Sequence, residues 1–233
     1  MKITYIYHSS FLIETGSAYF LFDYELGNIP DLLPDRPLYV LASHAHGDHF
    51  NPRIFRLRRN HPDVRYILSD DIPAEMIPAE LLYKIVSVGP DREYRDSMKD
   101  GRILTVKTLR SNDLGVAFVL DMAGTLVYHA GDLNNWWWEG DEEDRLLEKQ
   151  YHEELEKIRG MEFEAAFIPL DPRIRGYERG IEDFLRYAHA KYVFPMHFGH
   201  QTEIVERMLA RPETAALPCQ LMKIKKQGDC FTL

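Results

Sequence analysis

Four side chains that can bind a metal ion stand within residues 44–49 of this chain, where the sequence reads HAHGDH. Imidazole and carboxylate groups are the ligands that proteins offer to zinc and to related transition metals. Imidazole also titrates near neutral pH, so it can bind a metal at a small deprotonation cost. A histidine-rich surface turn is the alternative interpretation, but no structural demand explains this density of ligands. The segment therefore predicts a metal site at His44, His46, Asp48 and His49.

The spacing of these ligands suggests two metal positions rather than one. His44 and His46 are two residues apart, and alternate side chains of an extended backbone point the same way. Gly47 can let the chain turn without a Cβ clash, after which Asp48 and His49 can face a neighbouring position. Two such pairs fit a two-metal site with ions about 3.5–4 Å apart.

Strand patterns surround the motif. Apolar residues predict an antiparallel meander over 3–22 and a buried strand at 38–42, directly before the motif. Further strands are predicted at 64–68, 84–88, 102–108, 115–120, 125–129, 164–170 and 192–196. Helices are predicted from Asn51-Pro52, over 142–159, around 181–188 and over 204–209. This order favours an α/β sandwich of two or four layers, built as a single domain over residues 1–233.

Composition limits the classes of function. A net charge of −9 argues against bulk electrostatic binding of nucleic acid or of an anionic membrane. No run approaches the roughly 20 apolar residues of a membrane span, and the N-terminus becomes polar too early for a signal peptide. Cys219 and Cys230 are too few for a disulfide framework. We expect a cytoplasmic protein with a small-molecule substrate, and no pattern indicates its oligomeric state.

Two further ligand candidates follow predicted strands. Asp132 follows the strand at 125–129, and its two carboxylate oxygens could bridge two cations. His197 follows the strand at 192–196 in the same manner. Each by itself fits ordinary turn chemistry, but their shared position after buried strands favours a ligand role.

The pattern resembles the metallo-β-lactamase superfamily, whose HxHxDH motif is matched at residues 44–49. Gly131-Asp132 matches the family's later Gly-Asp, and His197 matches its final histidine. The segments 8–13, 20–23, 128–132 and 195–198 look most like the branch containing ascorbate-6-phosphate lactonase and acyl-ethanolamine phospholipase D. The resemblance implies a four-layer αββα sandwich with the metals at its open edge.

One departure from the family pattern concerns the first metal. The family usually supplies a third histidine just before the strand that here begins at Gly115, and residues 109–115 contain none. Asp113 is the best local replacement, since an oxygen donor is accepted by zinc, manganese and iron; a plain turn residue is the alternative. Asp23 resembles the family carboxylate that orients a ligand imidazole, although it could be a turn residue.

Three other features have open roles. His8 could line the pocket or simply end a strand. Asp171-Pro172-Arg173 could place a charge at the pocket mouth, although a salt bridge of Arg173 is the simpler interpretation. The run of three indoles at 136–138 cannot be buried by one face of a helix or strand, so at least one should be exposed or border the cleft.

We expect a metal-dependent hydrolase that uses one or two divalent ions, with zinc favoured over manganese and iron. A metal-bound hydroxide would attack a small-molecule ester, lactone or phosphodiester, while Asp132 bridges the ions and either Asp48 or a metal-bound water delivers a proton to the leaving group. One alternative keeps a single functional ion at Asp48, His49, Asp132 and His197. Another is a degenerate member that binds a ligand without turnover, as the missing histidine would allow.

Overall fold

Two seven-stranded β-sheets form the centre of the protein, and the computed structural model describes all residues from Met1 to Leu233. In chain order the strands are β1 (Lys2–Tyr7), β2 (Ser10–Glu14), β3 (Tyr19–Phe22), β4 (Leu38–Ala42), β5 (Val64–Ser69), β6 (Ile85–Val88), β7 (Glu93–Ser97), β8 (Ile103–Arg110), β9 (Val116–Met122), β10 (Leu126–His129), β11 (Glu162–Pro169), β12 (His189–Met196), β13 (Gln220–Leu221) and β14 (Cys230–Thr232). The first sheet has the order β14-β1-β2-β3-β4-β5-β6, and the second has the order β13-β12-β11-β10-β9-β8-β7.

Both sheets change from antiparallel to parallel pairing. The predicted meander is confirmed, because β1, β2 and β3 pair antiparallel, and β3 to β6 then pair in parallel. In the second sheet β7 to β10 are antiparallel and β10 to β13 are parallel. The sequence patterns missed β7, β13 and β14. The strand β7 is polar and lies at a sheet edge, where burial does not impose an apolar pattern.

The α-helices are α1 (Glu142–Glu156), α2 (Arg179–Tyr187) and α3 (Glu203–Leu209). Shorter 3-10 segments cover Pro52–Arg59, Ala74–Met76, Ala79–Lys84 and Pro212–Ala216. The α1 helix begins at an N-cap, where the Asp141 carboxylate accepts a hydrogen bond from the Asp144 amide at 3.0 Å. It ends three residues before the predicted boundary. The predicted helix after Asn51 is present as a 3-10 helix with Asn51 as its cap. No helix combines the length and apolar character needed to cross a membrane.

The main core lies between the two sheets. Phe11 of β2 packs on Phe167 of β11 with ring centroids 4.6 Å apart, and Phe22 of β3 packs near Phe118 of β9. On the outer face of the second sheet, the buried faces of α1 and α2 join the same core. A smaller cluster on the outer face of the first sheet includes Ile54 and Phe55 of the 3-10 helix. The layers therefore follow the order expected for an αββα sandwich.

Candidate metal centre

The predicted ligands all follow the carboxyl ends of strands. The HAHGDH segment follows β4, Asp132 follows β10 and His197 follows β12. The loop after β8 carries Asp113. Backbone hydrogen bonds join the two sheets at this rim, from Val116 N to Ser43 O at 2.9 Å and from His197 N to His8 O at 3.1 Å. The fold thus brings side chains from distant parts of the chain to one edge.

The first donor group consists of His44, His46, Asp113 and Asp132, whose ligand atoms all lie within 4.8 Å of one another. The Nε2 atom of His44 lies 3.1 Å from Nδ1 of His46 and 3.4 Å from Oδ2 of Asp132. Oδ2 of Asp113 lies 3.5 Å from Nδ1 of His46. Asp113 therefore lies beside His44 and His46, in the donor group that has no third histidine.

The second donor group consists of His8, Asp48, His49 and His197, again with ligand atoms within 4.8 Å of one another. Asp132 also reaches this group, because its Oδ1 lies 3.1 Å from Nε2 of His49 and 3.3 Å from Nε2 of His197. The two oxygens of Asp132 therefore face different groups, Oδ2 the first and Oδ1 the second.

Unpartnered polar atoms at the centre of this arrangement fit metal ions. His49 Nε2, His197 Nε2 and Asp132 Oδ1 are buried and have no hydrogen-bond partner. A buried polar atom without a partner is costly, so each such atom calls for an explanation. A cation between an imidazole nitrogen and a carboxylate oxygen would satisfy both, and nitrogen with oxygen donors is a set that zinc, manganese and iron accept.

Carboxylates behind the histidines fix the rings. Asp23, fully buried, lies with Oδ2 2.7 Å from Nδ1 of His49. The same carboxylate accepts hydrogen bonds from the Ser43 amide and hydroxyl, both at 2.7 Å. Since the Ser43 hydroxyl donates to Asp23, it can accept a hydrogen bond from Nδ1 of His44 at 2.9 Å. Both rings therefore keep their proton on Nδ1 and turn Nε2 toward the site.

The third ring is held in the same way. His197 donates from Nδ1 to Oδ2 of Asp171 at 3.0 Å, and Nε of Arg173 lies 2.9 Å from the same carboxylate. Arg173 thus forms the salt bridge that the sequence suggested, and it does so with the same carboxylate that fixes the His197 ring. Asp171 is fully buried and Asp132 is nearly so, whereas the Arg173 side chain is 60% exposed.

Ser43 is a site residue that sequence reasoning missed. The sequence feature that could have indicated it is a polar residue between a buried strand and the HAHGDH motif. Ser43 is fully buried there. Two glycines make room for it. A Cβ at Gly115 would lie 2.0 Å from the Ser43 carbonyl oxygen, and one at Gly131 would lie 2.7 Å from the Ser43 Cβ. Gly47, by contrast, has open space around it and no positive φ, so the turn within the motif does not require glycine.

The loop that carries Asp113 is anchored by its neighbour. The Asn112 side chain donates to the carbonyl oxygens of Asn134 and Leu147, at 2.7 and 3.0 Å, and accepts from the Asn134 amide at 3.1 Å. These bonds tie the loop to the segment after Asp132. Asp113 itself remains 44% exposed in its side chain.

The charges within the site are strongly coupled. Burial by itself would lower the pKa of His197, but attraction to Asp132 and the hydrogen bond to Asp171 raise it to about 9. Burial would also lower the pKa of His49. Attraction to Asp132 and Asp23 outweighs burial and raises this pKa well above its ordinary value. Burial would raise the pKa of Asp132, but His49 and His197 hold it well below its usual range. Without metal, protonated His49 and His197 therefore lie beside ionised Asp132.

Three residues of the site have a left-handed backbone. Asp23, His8 and His197 have φ values of 43°, 52° and 66°. This region is unfavourable for residues other than glycine, and such strain is typical of functional sites. Here it turns each side chain inward immediately after a strand.

A cleft of about 440 Å³ opens beside the donor groups. Trp136, Trp138 and Leu147 line its apolar wall, and Arg173 lines it near His197. The rings of Trp136 and Trp138 stack with an interplanar angle of 14° and centroids 6.2 Å apart. Trp136 is buried and Trp138 is 39% exposed, which confirms that at least one indole of the run lies at the surface.

Comparison with known proteins identifies relatives of this chain. Residues 2–141 match the model of the family described as the β-lactamase superfamily domain. A protein of Archaeoglobus fulgidus described as a metal-dependent hydrolase is 25% identical over 215 residues, which cover 85% of this chain and 83% of that protein. One of Desulforamulus reducens with the same description is 40% identical over 57 residues, but the match covers only 23% of this chain and 25% of the relative.

Solved structures share the fold across the whole chain. A metallo hydrolase from Ignicoccus hospitalis superimposes with a TM-score of 0.59 and 18% identity, covering 100% of this chain and 98% of that one. A diiron β-hydroxylase from Streptomyces venezuelae gives a TM-score of 0.61 and 14% identity, covering 100% of this chain and 54% of that one. These similarities confirm the four-layer sandwich.

Proposed function

This chain belongs to the β-lactamase superfamily, and we propose that it is a metal-dependent hydrolase of small molecules that holds two divalent ions. The proposal depends above all on Asp132, whose two oxygens face two separate groups of nitrogen and oxygen donors. Relatives described as metal-dependent hydrolases support it.

His44, His46, Asp113 and Asp132 would hold the first ion, and Asp48, His49, Asp132 and His197 would hold the second. Bound divalent ions lower the pKa of water and polarise a carbonyl or phosphoryl oxygen. Zinc suits the imidazole donors, while the oxygen donor Asp113 also suits manganese or iron. The reaction class is hydrolysis of an ester, a lactone or a phosphodiester.

Asp48 is the residue we assign to proton transfer. Its side chain is 44% exposed at the cleft. The nearby His8 imidazole, 3.5 Å away, is the main cause that keeps the pKa of Asp48 below its ordinary value. An ionised Asp48 can accept a proton from the attacking water molecule and pass it to the leaving group.

The exposure of the side chains in the two donor groups favours one alternative, in which only the second ion is tightly held. The first group has two half-exposed side chains, His46 at 46% and Asp113 at 44%. The second has one, Asp48 at 44%, beside His49 at 0% and His197 at 3%. Burial and the supporting carboxylates Asp23 and Asp171 organise the second group before a metal arrives. The first ion would then exchange readily and be present only at high metal concentration.

The test combines metal counting with hydrolysis. Protein purified with zinc or manganese should contain two ions per chain by elemental analysis. It should hydrolyse at least one of p-nitrophenyl acetate, bis(p-nitrophenyl) phosphate and δ-valerolactone, and it should lose that activity on chelation. Asp132→Asn should lose both metal and activity, while the exposed control Asp31→Asn should keep both. One tight ion with full activity would favour the mononuclear enzyme, and activity retained in metal-free protein would refute the proposal.

We further propose that the enzyme works in the reducing cytoplasm. Cys219 and Cys230 are both unpaired thiols, which is usual for proteins of that compartment.

A further inference from the structure

His8 differs from the three buried imidazoles His44, His49 and His197 in the direction of its side-chain hydrogen bond. The Gly199 amide donates to Nδ1 of His8 at 3.1 Å. By contrast, Nδ1 of His49 and of His197 faces a carboxylate oxygen, and each of those nitrogens is a donor. A neutral imidazole has one donor and one acceptor nitrogen. Since Nδ1 of His8 accepts, its proton is on Nε2.

This tautomer does not suit a metal ligand. A histidine that binds metal through one nitrogen almost always donates the proton on the other nitrogen to an acceptor. If Nε2 of His8 bound an ion, Nδ1 would carry a proton that points at the Gly199 amide hydrogen. His8 therefore stands in the second donor group by position, but its chemistry is that of a hydrogen-bond donor.

The Nε2–H group of His8 has no partner. Its nitrogen is buried and lacks a hydrogen bond. The nearest carboxylate oxygen, Oδ2 of Asp48, lies 3.5 Å away, so the Nε2–H group is attracted to it but makes no hydrogen bond of normal length. Leaving a buried donor unsatisfied is costly, so this group is poised for an acceptor that arrives from outside the chain.

The ring is rigidly placed for this purpose. The His8 amide donates to the Tyr5 hydroxyl at 2.9 Å, and its carbonyl oxygen accepts from the His197 amide at 3.1 Å. The His8 and His197 rings pack with centroids 4.2 Å apart. His8 also lines a second lobe of the cleft, about 380 Å³ in volume, which shares Asp48, Arg173 and His197 with the first lobe.

We propose that His8 is a catalytic residue that donates a hydrogen bond from Nε2 to the substrate oxygen on which negative charge develops, and that it does not bind metal. This proposal rests on the proposed hydrolase function. A fixed donor aimed at a developing oxyanion acts more strongly in the transition state than in the ground state. His8 would thus affect kcat more than KM.

Variants of His8 can distinguish a hydrogen-bond donor from a metal ligand at this position. We expect His8→Phe to lower kcat about 10²–10³-fold, with two ions still bound by elemental analysis. His8→Gln, whose amide can both accept from Gly199 and donate into the site, should recover part of kcat. His189→Phe, at an exposed position where β12 begins, is the matched control and should behave as wild type. Loss of one ion in His8→Phe would overturn the proposal, as would an unchanged kcat.

A measurement on the wild-type protein needs neither activity nor a variant. In zinc-loaded protein with 15N-labelled histidine, long-range 1H–15N correlation spectra distinguish the two tautomers. His8 should be protonated at Nε2, while His44, His49 and His197 should be protonated at Nδ1. A metal-bound Nε2 on His8 would refute the proposal. If the wild type hydrolyses none of the probe substrates, the proposed function fails, while this spectrum still decides whether His8 is a ligand.

Discussion

Asp23 accepts a hydrogen bond from Nδ1 of His49 over 2.7 Å, and both side chains are completely buried. Because the carboxylate fixes the proton on Nδ1, Nε2 of His49 is left facing Asp132. Asp23 follows β3 and His49 belongs to the motif after β4, and these neighbouring strands pair in parallel. Metal affinity should therefore depend on a residue that touches no metal.

Asp23→Asn should weaken metal binding about 10- to 100-fold. Asparagine is nearly the same size and tolerates the left-handed backbone at this position, so the chain should still fold. Competition with a chromophoric chelator would measure the affinity, with Asp31→Asn as the surface control. An unchanged dissociation constant would show that Asp23 does not orient His49.

Asp113→Ala should reduce the bound metal from two ions to one, because Asp113 belongs only to the first donor group. Asp113→His should keep two ions and increase the preference for zinc over manganese, since imidazole is the better zinc ligand. Elemental analysis after dialysis against each metal would test both variants. Two ions retained in Asp113→Ala would mean that Asp113 is only a turn residue.

Metal binding at pH 7 should release about two protons, one from His49 and one from His197. In the metal-free site the pKa of His197 is about 9 and that of His49 is well above its ordinary value. Both rings are then protonated at pH 7 and must lose a proton to bind metal. Affinity should therefore rise with pH through the titration of His197, whose pKa is about 9.

Calorimetric titration in buffers with different heats of ionisation would count these protons. His197→Gln, which lacks one imidazole, should release one proton fewer, and His189→Gln should match the wild type. Equal heats in all buffers would contradict the prediction.

Trp138→Ala should raise KM for substrates with an apolar acyl group and leave kcat and metal content nearly unchanged. Trp138 lines the cleft at its exposed edge and is not in either donor group. Leu146→Ala, at an exposed position on α1, provides the control. A lower kcat at unchanged KM would place Trp138 in catalysis rather than in substrate binding.

Gly115→Ala should lower the free energy of unfolding by roughly 1–3 kcal/mol. The added Cβ would meet the Ser43 carbonyl at 2.0 Å, and the backbone has a φ of +65°. Gly47→Ala has open space and should change stability by less than about 0.5 kcal/mol. Urea denaturation of both variants would compare them, and equal midpoints would contradict this account of Ser43 packing.

The predicted strands show how much a local pattern can reveal. The runs at 38–42, 164–170 and 192–196 are apolar because they become β4, β11 and β12, which are covered on both faces. Because burial on both faces requires apolar side chains, these strands can be recognised from the sequence. The polar edge strand β7 was missed for the opposite reason, since an edge position places few demands on side chains.

Residue types and their spacing along the chain were enough to predict the family, the ligand-rich motif and the strand ends that carry further ligand candidates. Composition and spacing are local properties, so they can be read without coordinates. Only the tertiary structure brought Asp113 beside His46, set the two oxygens of Asp132 toward different groups, and joined Ser43 to Asp23. It alone showed that the Gly199 amide donates to His8 Nδ1. These relationships depend on the mutual position of loops that are far apart in the chain, and the packing of the two sheets sets that position.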